Sequence, residues 1–113
     1  MNERARRIGR NEAIFREVNE QIEQLNDRFH AVGNDVLQLV CECGSLECAE
    51  QLAVPLRVYE GARADSTLFV IKPGHEIPDV EDVVSRETDY FVVRKHEGDA
   101  AELARETDPR NGA

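Results

Sequence analysis

The sequence predicts an α+β fold in which a long N-terminal helix packs on a small, mainly antiparallel sheet carrying a cysteine-rich knuckle. Three observations predict it. Ile14, Val18, Ile22, Leu25 and Phe29 recur at steps of four, four, three and four, which puts them on one helical face with Phe15 beside it. Short aliphatic or aromatic runs at 36–41, 68–71 and 90–93 have the length and composition of strands. Cys41, Cys43 and Cys48 are the only cysteines among 113 residues, and they fall in Cys41-Glu42-Cys43-Gly44-Ser45-Leu46-Glu47-Cys48.

The chain opens on Arg4, Arg6, Arg7 and Arg10 against Glu3, within a net charge of −9. Residues 1–10 therefore read as a basic arm, of the frayed and solubilising kind common at chain ends. The helix begins after it, with Asn11 as a reasonable N-cap and Gly33 close enough to help stop it. Its apolar stripe is expected in the core, with Arg16, Glu17, Asn19, Glu20 and Glu23 on the other faces. An exposed stripe would instead make the helix a dimer seam.

After the turn-like Gly33-Asn34-Asp35, residues 36–41 form the first strand. Side chains two apart on a strand share a face, so Cys41 and Cys43 point the same way as Leu37 and Leu39. Gly44 and Ser45 allow a tight reversal that swings Cys48 back toward the first two sulfurs. Residues 50–54 return as a second strand in a hairpin. A short helix at 56–64 follows Pro55, which suits a first helical turn, although Gly61 weakens it.

Residues 68–71 form a third strand, 80–84 can be helix or strand, and 90–93 form the final strand. From Glu97 onward the chain is acidic and poor in apolar residues, so 97–113 reads as a tail. The working domain is then a single unit over 11–96. A 41% hydrophobic, 5% aromatic composition makes its core mainly aliphatic. A domain this small gains much from a metal staple.

Three thiolates this close, with a histidine as fourth donor, match the Cys₃His set of a tetrahedral structural Zn²⁺. His75 is the best fourth ligand, because Pro73-Gly74-His75-Glu76 is a rigid turn directly after the third strand. His30, after the first helix, and His96, at the end of the last strand, are the competitors. A disulfide pair would leave an odd cysteine over, which fits a disulfide framework poorly. No apolar run follows Met1, so a reducing cytoplasm is expected, where clustered cysteines bind metal or act in redox chemistry.

The residues 11–20, then Val40-Cys41-Glu42-Cys43-Gly44 with Cys48, Tyr59, Arg63-Ala64-Asp65, Pro73-Gly74-His75-Glu76 and Tyr90 to Lys95, resemble a family of small, poorly characterised actinobacterial proteins. The resemblance spans about 11–95 and rests on the combined spacing. It implies that Cys41, Cys43, Cys48 and His75 act as a set, and it implies no activity.

Two function classes follow. The first is a zinc-stabilised protein-binding or regulatory module, monomeric or dimeric through the N-terminal helix. The second is a zinc-dependent hydrolase with Glu76 as general base, and a thiol redox switch at Cys41-Glu42-Cys43 is a further alternative. The deaminase His-x-Glu and Pro-Cys-x-x-Cys motifs, phosphate-loop, dinucleotide and His-Glu-x-x-His patterns are all absent from the sequence. The acidic balance disfavours nucleic-acid binding, despite Arg94 and Lys95 beside Tyr90 and Phe91, and no apolar stretch is long enough to span a membrane.

Overall fold

A computed structural model describes residues 3–28, 36–45, 47–48 and 50–110. Along the chain these form α1 (Glu3–Arg28), β1 (Val36–Val40), β2 (Gln51–Pro55), α2 (Leu56–Arg63), β3 (Leu68–Ile71), β4 (Glu81–Arg86), β5 (Phe91–Lys95) and α3 (Asp99–Glu106). The fold is α+β, with antiparallel pairing throughout.

The strands divide into two sheets, a β1–β2 hairpin and a three-stranded sheet in the order β3-β5-β4. Backbone polar groups must be paired when buried, and just past β1 the chain finds its partner in the second sheet. Glu42 N donates to Val70 O at 2.9 Å, so the knuckle and β3 are stitched together. The core between the sheets is aliphatic, as expected: Leu37, Leu39, Leu52, Val54, Val70, Ile71 and Val93 are buried with Phe69 and Tyr59. The ambiguous segment at 80–84 is resolved as strand. A bulge between Val83 and Ser85 turns Val84 outward, where it is 48% exposed.

The two expected terminal extensions are corrected by the structure. The basic residues 3–10 continue α1 rather than forming an arm, and Asn11, expected as the N-cap, lies inside the helix with its Nδ2 donating to Gly44 O at 2.9 Å. The expected acidic tail contains α3, whose Ala101 and Ala104 are buried and which packs on α1. Gly9 permits that approach, since a Cβ there would stand 2.4 Å from Leu103 Cδ2. Small residues at Ala100, Ala101 and Ala104 supply a packing face that an apolar count undervalues. Residues 111–113, like Phe29, His30 and the Gly33-Asn34-Asp35 turn, lie outside the described residues.

The orientation of α1 is the larger correction. Three residues of its apolar stripe face away from the core, Ile14 being 54% exposed, Val18 37% and Leu25 53%, while Ile22 packs against the core cluster. The inward face consists of Glu12, Arg16, Asn19, Glu20 and Glu23, all buried. Residues 12, 16, 19 and 23 have the same four-three-four spacing as an apolar stripe, so periodicity alone does not choose between the faces.

Polar groups can occupy the inward face because the domain supplies a partner for each. Lys95 Nζ donates to Glu12 Oε2 at 2.5 Å and to Glu81 Oε1 at 2.6 Å. Arg16 donates to Ser66 O and Ala104 O, both at 2.7 Å, and stacks over Phe69 at 4.6 Å from the ring centroid. Tyr59 OH donates to Glu20 Oε2 at 2.9 Å, and Arg110 joins Glu20 to Glu60.

Candidate metal centre

The knuckle forms where β1 runs out. Strand alternation carries Cys41 and Cys43 onto one face and Glu42 onto the other. Gly44 then adopts φ +84°, a conformation that favours glycine, and the chain turns so that Cys48 N donates to Ser45 O at 3.1 Å. A Cβ on Gly44 would also meet Ile8 O, Ile8 Cγ2 and Glu12 Cγ at 3.0 Å, so α1 presses directly on this turn.

His75 arrives from the other sheet. After β3, Lys72-Pro73-Gly74-His75 makes a turn closed by His75 N donating to Lys72 O at 3.0 Å, with Gly74 at φ +92°. The four candidate ligand atoms of Cys41, Cys43, Cys48 and His75 all lie within 4.8 Å of one another. His75 Nδ1 is 3.7 Å from both Cys41 Sγ and Cys48 Sγ. Tetrahedral coordination with metal–sulfur and metal–nitrogen bonds of about 2.3 and 2.0 Å sets that edge at about 3.5 Å. The group therefore fits a four-coordinate metal ion.

Its surroundings fit as well. Cys41 and Cys43 are buried, while Cys48 and His75 are half-buried. Lys72 N donates to Cys41 Sγ at 3.1 Å, the type of outer contact that orients a thiolate ligand. The hydrogen bond between Cys41 and Cys43, with burial, raises the Cys41 thiol above its ordinary range. The same bond holds the Cys43 thiol below its ordinary range, so the pair favours a thiolate. One side of the group opens to a cleft of about 430 Å³ lined by Cys43, Ser45, Glu47, Cys48, Glu50, His75 and Ile77.

The other sequence candidates lie elsewhere. His96 Nε2 is 3.1 Å from Asp82 Oδ1 at the surface, and His30 is outside the described residues. Glu76 is not one of the four grouped residues, and its buried Oε1 has no hydrogen-bond partner among the described residues.

Sequence reasoning missed Glu42. Its side chain is fully buried and accepts from Asn19 Nδ2 at 2.6 Å, Val70 N at 3.0 Å and Arg63 Nη2 at 3.3 Å. Asn19 also donates to Val40 O at 2.9 Å and accepts from Val40 N at 2.8 Å, so a side chain of α1 completes the edge of β1. The signal was the alternation itself: two ligands on one face leave the residue between them pointing inward.

No known family model, curated protein or solved structure matches this chain. No helix among the described residues is long and apolar enough to cross a membrane.

Proposed function

We propose that this protein is a zinc-stabilised protein-binding or regulatory module without catalytic turnover of its own. The carrying observation is the closed Cys41, Cys43, Cys48 and His75 group, whose spacing matches a tetrahedral ion and which ties the β1–β2 hairpin to the turn after β3. Four protein ligands fill a tetrahedral site, so no position is left for an attacking water. Three thiolates and an imidazole favour zinc over hard cations such as magnesium or calcium. The outer face of α1, with Ile14, Val18 and Leu25 exposed, supplies the interaction surface in this reading.

A cytoplasmic setting suits three unpaired thiols. The open cleft beside Cys43 and Cys48 favours a thiol switch as the second reading, because it gives an oxidant a route to two of the sulfurs.

Thermal unfolding with and without a strong chelator tests the module reading. Loss of zinc should lower the melting temperature sharply, because binding energy at a structural site is folding energy. Unchanged melting after demonstrated zinc removal would contradict it. Peroxide treatment of the zinc-loaded protein tests the second reading: zinc release with a Cys43–Cys48 disulfide supports a switch, and inert cysteines reject it.

A further inference from the structure

We infer that metal occupancy of the Cys41, Cys43, Cys48 and His75 group controls the docking of α1: with the metal bound the helix is seated, and with the metal removed it comes away while the sheets stay folded. The inference rests on reading that group as a zinc site, and it adds what the site regulates.

The buried apolar cluster draws on β1, the knuckle, β2, α2, β3, β5 and α3, and among the described residues it takes none from α1. Only Ile22 packs against it from the helix. What holds α1 is instead polar and directional, through Glu12 to Lys95, Arg16 to Ser66 O and Ala104 O, and Glu20 to Tyr59. Such contacts exchange for water when an interface opens, whereas an apolar core has no such replacement.

The groups left behind by a departing helix keep partners of their own. Lys95 Nζ remains 2.6 Å from Glu81 Oε1, and Glu42 Oε1 still accepts from Val70 N at 3.0 Å and pairs with Arg63 at 3.3 Å. Undocking therefore strands no unpaired charge in the sheets.

The seat of the helix is the knuckle itself. Asn11 Nδ2 donates to Gly44 O at 2.9 Å, Asn19 bonds to Val40 and Glu42, and a Cβ on Gly44 would meet Ile8 and Glu12 at 3.0 Å. About three turns of α1 thus rest on residues 40–44, the segment that carries Cys41 and Cys43. Hydrogen bonds weaken steeply with misalignment, so this seat lasts only while the course of 40–44 is fixed. Ligation supplies that constraint, by tying Cys41 and Cys43 to Cys48 and to His75 on the other sheet. The cleft of about 430 Å³ beside Cys43, Cys48 and His75 gives a chelating ligand access to the site in the folded protein.

Hydrogen exchange read by mass spectrometry, on the full chain with zinc and after chelation, tests the coupling. Zinc removal should speed exchange about 100-fold over residues 8–23 and less than about tenfold over β3 and β5, because local opening spares the cooperative core. Coupling is reciprocal, so loosening the helix has to weaken zinc binding. Asn19→Ala should lower zinc affinity about tenfold at one zinc per chain, although its hydrogen bonds go to Val40 and Glu42 and not to a ligand. Asn11→Ala, at a half-buried position, should lower it about threefold, and Ile14→Ala on the exposed face should bind as wild type.

Unchanged α1 exchange in demonstrably zinc-free protein overturns the inference. Equal losses over α1, β3 and β5 do so as well, since the metal would then hold the whole fold rather than the helix. Wild-type zinc affinity in both Asn19→Ala and Asn11→Ala also overturns it. Elemental analysis of the same samples separates these results from failure of the metal reading, in which the protein carries no zinc at the start.

Discussion

Asn19 and Glu42 join the long helix to the cysteine knuckle: Asn19 Nδ2 donates to Glu42 Oε2 at 2.6 Å, with both side chains fully buried. Glu42 stands between two candidate ligands, so the segment that presents Cys41 and Cys43 on one face anchors α1, α2 and β3 on the other. Glu42→Gln keeps the shape but leaves the buried Arg63 guanidinium without its charged partner at 3.3 Å. The expected loss is roughly 3–5 kcal/mol in urea unfolding, the range for breaking a buried pair. Zinc stoichiometry should stay at wild-type level, because the side chain points away from the sulfurs. Near-wild-type stability would refute the anchoring role.

Gly44 and Gly74 provide an internal comparison. Both have positive φ, but a Cβ at Gly44 meets Ile8 and Glu12 at 3.0 Å while one at Gly74 meets nothing within 4 Å. Backbone strain alone should cost Gly74→Ala about 1–2 kcal/mol. Gly44→Ala should cost about 1–3 kcal/mol more, because a carbonyl of α1 has to move. Equal losses in chemical denaturation would mean that α1 does not press on the knuckle.

Glu12 sets a pH dependence. Burial raises its carboxyl from 4.5 to about 7, against the opposing effect of Lys95. The folded state therefore holds this proton more tightly than the unfolded chain. That contribution to stability is fully present below about 4.5 and is lost as pH rises through about 7. Glu12→Gln, which cannot ionise, should gain stability relative to wild type between pH 5 and pH 7.5 in paired urea titrations. Parallel curves for the two proteins would show that Glu12 does not titrate in this window.

The sequence makes the cysteine site legible because its chemistry is local. Three cysteines within eight residues, strand alternation and a glycine turn suffice to bring Cys41, Cys43 and Cys48 together, and the Pro73-Gly74 turn made His75 the best fourth residue. Strands β1, β2, β3 and β5 were legible for the same reason, each being a short apolar run bounded by turn residues. The facing of α1 was not. Glu12, Arg16 and Asn19 become inward residues only through Lys95, Ser66, Ala104 and β1, partners 21 to 88 residues away in the chain, whose positions no local pattern encodes. Helix α3 was hidden because its packing face is built from alanines, whose burial depends on Gly9 letting α1 come close.

His75→Ala and His96→Ala separate ligand from bystander. Removing His75 takes away the donor that lies 3.7 Å from two sulfurs, so zinc affinity should fall by at least about tenfold with a lower melting temperature. Removing His96 breaks only a surface contact with Asp82 and should change stability by less than about 0.5 kcal/mol. Competition against a chromophoric zinc chelator measures the first effect. Equal affinities for the two variants would remove His75 from the site.

Native mass spectrometry of the full chain, purified without chelator and paired with elemental analysis, tests the metal site most directly. The account predicts one zinc per chain in the wild type and in Glu76→Gln, and its loss in Cys43→Ser. A wild-type protein carrying no stoichiometric metal, or a Cys43→Ser protein that keeps it, would contradict the Cys41, Cys43, Cys48 and His75 centre.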